Sequence, residues 1–143
     1  MYFQGKWAYG PWPTAWREQG FMEDITFMEF FPILVAVFLW GDNIQNKKIM
    51  FNSDNQAVVA ILNKLTSSSP RVMVLVRMFV LRCMKLNIMV RGQYIPGTMN
   101  HIADALSRFQ FQRFRQSVPQ AVPYPTTIPQ SLWTYWMQKL RGY

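Results

Sequence analysis

A run of fourteen residues, FMEFFPILVAVFLW at 27–40, constrains this chain more than any other segment. Glu29 is its only charge, so a helix made from it must bury nearly its whole circumference. With Glu29 and Pro32 inside, the run falls short of the roughly twenty apolar residues a membrane crossing takes. The sequence therefore predicts a core helix over 27–40, capped by Asp24 or Thr26 and stopped by Gly41 and Asp42, with no membrane partner. Pro32 suits such a helix only in its first turns.

At 143 residues the chain has room for one domain with a real core and a tail. Trp7, Tyr9, Trp12 and Trp16 alternate with Gly5, Gly10, Pro11 and Pro13, which predicts a strand end, a turn, a second short strand and a loop. KKIMFNS at 47–53 reads as a strand handing over at Asp54 and Asn55 to a helix with Val58, Ile61, Leu62 and Leu65 on one face. Pro70 opens a longer helix to Leu86, residues 88–95 form a strand, Pro96-Gly97 a turn, and Asn100 caps a short helix, HIADALSR. That order predicts an α/β domain whose last strands run parallel through helical crossovers. The domain is expected over 1–115. Residues 116–143 then read as a Pro-rich linker and a short amphipathic tail, SLWTYWMQKL.

Fifteen Lys and Arg against seven Asp and Glu give a net charge of +8, a balance that favours polyanionic partners, nucleic acid first among them. Arg71, Arg82, Lys85 and Arg91 are candidates for phosphate contacts. So are Arg108, Arg113 and Arg115, which interleave with Phe109, Phe111 and Phe114. The competing reading is a solvated basic face with aromatics packed on the domain. Cys83, the single cysteine, falls on the apolar side of its helix and reads as a core residue, which suits a reducing compartment, cytoplasm or nucleus.

Among so few acids, Glu29, Asp54 and Asp104 stand out, because a carboxylate in apolar surroundings is costly unless paired or bound to a cation. Placed at strand ends and on helices facing a sheet, such groups can converge at the sheet's C-terminal edge, where hard oxygen ligands suit Mg²⁺ or Mn²⁺. Each also has a structural reading: Glu29 paired with an arginine, Asp54 as a helix N-cap, Asp104 as a cap or bridge on a wet face.

The stretches DITFMEFFPILVAVFLW, IMFNSDNQAVVAILNK and SPRVMVLVRMFVLRCMKLNIMVRGQYIPGTMNHIADALSR resemble the ribonuclease H domain attached to reverse transcriptases of DIRS-type retroelements. The closing IPG and IADALSR are similar to the end of the same domain in gypsy-type elements. The resemblance implies a ribonuclease H-like fold, a mixed sheet flanked by helices, with four carboxylates around two Mg²⁺ or Mn²⁺ ions. It implies hydrolysis of the RNA strand of RNA:DNA hybrids, with Glu29, Asp54 and Asp104 as catalytic metal ligands. The family's remaining aspartate lies on a first, central strand, whereas no acid precedes Glu18 here. The expectation is therefore a domain lacking the first strand and most of the second, with impaired hydrolysis. The rival expectations are a non-catalytic nucleic-acid-binding module and an interaction segment docking neighbouring reverse transcriptase or recombinase domains of a polyprotein.

Overall fold

The computed structural model describes residues 2–3, 6–10, 12–97, 102, 105–106 and 108–141, the side chains of Tyr2 and Phe3 excepted. Its centre is α2 (Ile25–Trp40). The Asp24 carboxylate accepts from the Phe27 amide at 3.0 Å, fixing the start, and Gly41 leads into a 3₁₀ turn over Gly41–Ile44. Phe27, Phe30, Phe31, Leu34, Val35, Val37 and Trp40 are buried, so the helix spends most of its circumference inside, as its composition demands. Pro32 sits deeper than expected, as the eighth residue from Ile25. Lacking an N–H, it removes the donor that would reach the Met28 carbonyl, and packing around the helix carries that loss. By length and composition alone the run Ile25–Ile44, twenty residues of mean hydropathy 1.6, is apolar enough to cross a membrane. That correction lengthens the fourteen-residue count, although Phe30 and its buried neighbours face the protein's own core.

After α2 comes a contiguous unit. β3 (Lys48–Ser53) is followed by α3 (Gln56–Lys64), α4 (Pro70–Leu86) and β4 (Met89–Tyr94). β3 and β4 pair in parallel from Lys48 opposite Met89 to Ser53 opposite Tyr94, and the two helices supply the crossover such pairing requires. Local chemistry sets the boundaries: Ser69 Oγ accepts from the Val72 amide at 3.4 Å, and Pro70 needs no donor in the first turn. Leu65 and Asn87, both at positive φ, close α3 and α4. Ile49, Phe51, Ser53, Val90 and Gly92 face inward, and Phe79 of α4 meets Phe51 at 6.2 Å and Phe30 at 5.4 Å between ring centres. Cys83 lies in this core, and burial pushes its thiol up to about 11, with Arg82 pulling weakly the other way.

The flanks were less legible. β1 (Tyr2–Phe3) and β2 (Lys6–Trp7) form an antiparallel pair, but it stays a separate two-stranded sheet instead of joining β3 and β4 in one mixed sheet. A loop was expected before residue 20, yet α1 (Thr14–Glu18) and a 3₁₀ turn over Phe21–Glu23 form there and bury Trp16 and Phe21. Ile102, Ala105 and Leu106 are helical, in keeping with the HIADALSR helix, while Asn100 lies outside the described residues. Beyond it, α5 (Phe111–Ser117) was not anticipated. The amphipathic segment folds as α6 (Gln130–Lys139) and sends Trp136 and Leu140 into the main core, Trp136 lying 5.2 Å from Phe31. With about 59% helix and a small parallel sheet, the architecture is mixed α/β.

Candidate carboxylate site at the ends of the parallel strands

Parallel strands deliver their C-terminal ends to one side of a sheet, and loops leaving those ends gather side chains there. β3 ends at Ser53, so Asp54 emerges on that side, exposed. The Ile95 amide donates to the Ser53 carbonyl at 2.9 Å and carries the pairing one residue beyond β4. The chain then turns at Gly97, close enough to Asp54 that a Cβ on Gly97 would sit 3.2 Å from Asp54 Oδ2. α2 contributes Glu29, half-buried beside the start of α3.

The first turn of α3 explains why Asp54 is available. Asn55, not Asp54, is the N-cap: its Oδ1 accepts from the amides of Ala57 at 2.9 Å and Val58 at 3.2 Å. Capping by Asp54, the simplest structural reading of that residue, is thereby corrected. With its oxygen spent on the helix, Asn55 has its NH₂ left to donate, and it does so to Glu29.

Burial raises the Glu29 carboxyl above its ordinary 4.5, the neighbouring Asp54 carboxylate raises it further, and the Asn55 hydrogen bond pulls it back. The two acids are thus close enough to repel. Pairing of Glu29 with an arginine is likewise corrected: the one ion pair among the described residues joins Arg82 to Asp42 at 3.9 Å. Asp104 and His101 lie outside the described residues, and among the described residues no group of three or more metal-capable side chains forms. Glu29 and Asp54 still fit a hard divalent cation. They are oxygen donors that repel each other, and a cation between them would relieve that repulsion.

Several basic candidates are engaged within the fold. Arg71 donates to the Gly20 carbonyl at 3.1 Å, with its guanidinium 4.6 Å over Phe21. Arg82 lies 5.3 Å from the Phe38 ring centre, and its Nε is buried without a partner. Arg115 ties down the loop after α5, donating to the carbonyls of Ala121 and Val122 at 2.8 Å each and to that of Pro123, beneath Trp7 at 5.3 Å. Arg113 donates to Gln110 Oε1 at 2.9 Å. Lys85, Arg91 and Arg108 are exposed. The interleaved aromatics pack on the domain: Phe114 is fully buried 5.0 Å from Trp7, and Phe111 and Phe109 meet Tyr9 at 4.8 and 5.7 Å.

Sequence reasoning missed the parts played by Asn55 and Gly97. Asp-Asn ahead of a helix names two possible caps, and only the fold decides between them. No protein-family model, curated protein or solved structure matches this chain.

Proposed function

We propose that this chain is a ribonuclease H-like domain, related by its site to hydrolysis of the RNA strand of RNA:DNA hybrids but impaired in that activity, and that it uses Glu29 and Asp54 as ligands for Mg²⁺ or Mn²⁺. The observation that carries this reading is that Glu29 of α2 lies near Asp54 at the C-terminal end of β3, where burial first and the Asp54 carboxylate second raise the Glu29 pKa. Keeping two carboxylates together costs stability that a bound cation would restore. A divalent ion there would lower the pKa of a coordinated water and neutralise charge on a phosphoryl oxygen.

This chain's own residues would do the positioning. Asn55 would orient Glu29 while it holds the first turn of α3, and Asp54 stands at the strand end close to the turn at Gly97. Asp104, by the family resemblance, would complete the ligand set. Of the basic candidates, exposed Lys85 and Arg91 would follow a phosphate backbone.

The test is cleavage of a labelled RNA:DNA hybrid with Mg²⁺ and then Mn²⁺, running Glu29→Gln, Asp54→Asn and Asp104→Asn beside the unaltered chain. Loss of cleavage by about 100-fold or more in each variant is expected for groups that hold the catalytic cation. Cleavage that survives all three substitutions would sink the assignment. A second reading, a module that grips nucleic acid without cutting it, has one observation on its side: only two carboxylates meet among the described residues. Salt-sensitive hybrid binding unaffected by Asp54→Asn, with no cleavage, is the outcome it expects.

A further inference from the structure

The two edges of the β3–β4 sheet are treated differently. Parallel pairing turns the N–H and C=O of alternate residues toward the partner strand and of the others away from it. Met89 donates to the Lys47 carbonyl at 3.0 Å and Ile95 to that of Ser53 at 2.9 Å, so the odd-numbered residues of both strands face inward across the pair. On the outer edge of β4, Gly92 presents its backbone to Asn63, whose amide group behaves as a strand would: Oδ1 accepts from the Gly92 amide at 2.9 Å and Nδ2 donates to the Gly92 carbonyl at 3.1 Å. That edge is plugged.

The outer edge of β3 has no such plug. Lys48, Met50 and Asn52 turn their N–H and C=O groups outward, and no described residue bonds to them. Their side chains project onto the sheet face that the helices leave bare, where Met50 is 53% and Met89 60% exposed. Parallel sheets are ordinarily covered on both faces, and two strands alone are marginal in water.

We infer that the open edge of β3 pairs with β3 of a second copy of this chain, antiparallel about a two-fold axis at Met50. The edge is self-complementary in that register. Met50 faces Met50, Lys48 of one copy faces Asn52 of the other, and every outward N–H and C=O of these three residues gains a partner. No like charges stand directly opposite. The apolar pair lies on the axis, and the two sheets become one of four strands, β4–β3–β3–β4. Arg91, which pairs with Met50 within each copy, ends three strand spacings from its counterpart, about 14 Å, beyond the screening length of about 10 Å at 0.1 M salt. The net charge of +8 per copy opposes the encounter, so added salt favours this dimer, whereas it weakens nucleic-acid binding.

Sedimentation velocity of the unaltered chain over a concentration series, at low and at high salt, is the test. A monomer–dimer equilibrium that shifts toward dimer with salt is expected. Met50→Pro should abolish it. The Met50 N–H takes no part in the β3–β4 ladder, so proline at this edge leaves the monomer's own pairing intact and removes the central donors of the dimer. Should that variant fail to fold, Met50→Cys decides. Under mild oxidation it should yield a disulfide-linked dimer through residue 50, since directly opposed Cα atoms about 5.5 Å apart lie within disulfide reach and Cys83 is buried. A strictly monomeric chain would overturn the inference. So would a dimer indifferent to Met50→Pro with no cross-link at residue 50, or capture of an unrelated extended peptide in place of a second copy. None of these readouts depends on hybrid cleavage, so this inference and the proposed activity can fail separately.

Discussion

The unit from α2 to β4 and the aromatic flanks around it are held together in different ways. Within the unit, local signals set each element and one crossover joins them: periodic apolar faces, a Ser-Pro start and left-handed C-caps shape the helices that bring β4 beside β3. In the flanks, single long-range contacts do the work. Trp7 Nε1 donates to the Val122 carbonyl at 2.8 Å, Trp40 Nε1 to Thr126 Oγ1 at 3.2 Å, and the Thr126 amide to the Trp7 carbonyl at 2.7 Å. The contrast teaches that a segment can look like a tail in sequence and be core in space, because burial depends on what it meets and not on its own pattern.

The strongest challenge to that contrast is Trp136→Ala. If α6 is part of the core, the substitution costs about 3–5 kcal/mol, read as a lower urea midpoint for the whole chain. An unchanged midpoint would mean that 130–140 is only a passenger. Next in size is Gly92→Ala inside the central unit. A Cβ there would lie 2.9 Å from Leu62 Cβ and 3.0 Å from the Val59 carbonyl oxygen, so α3 must move off β4, at a cost of about 1–3 kcal/mol. A neutral result would show that helix and strand are less tightly joined than these distances imply.

The smallest effect joins stability to the site. Asn55→Ala removes the α3 cap, costing about 1 kcal/mol, and deletes the hydrogen bond that lowers the Glu29 pKa, so Glu29 should titrate still higher by carboxyl-resonance NMR. Asp54→Asn should move it the other way, back toward 4.5. Because the folded-state pKa of Glu29 is raised, its contribution to stability is fully present below 4.5 and is lost as pH rises through the folded value. Glu29→Gln should accordingly be more stable than the unaltered chain at neutral pH and lose that advantage in acid. A Glu29 that titrates normally and ignores both substitutions would separate the two carboxylates and remove the basis of the site.

What the sequence made legible follows from the same contrast. The Pro70–Leu86 helix is readable from its start at Ser69-Pro70 and its unbroken apolar face, and the β3 and β4 strands from their bounding turns. Helix α1 is five residues long with no acid in its first turn, and α5 is entered through FQFQ at 109–112, an alternation of period two that speaks for a strand. Both are held by aromatics from distant segments, Trp16 by Phe27 and Phe31, Phe114 by Trp7. For the site, residue type identified Glu29 and Asp54 as unusual. Which of two adjacent residues caps α3 depends on side-chain geometry that no spacing records.

The position of α6 also bears on how the chain is made. During synthesis the unit from α2 to β4 can assemble while residues 130–140 are still inside the ribosome, leaving Phe31 and Phe38 without Trp136 and Trp133 against them. For that interval the nascent protein carries an aromatic patch that its own later sequence must cover.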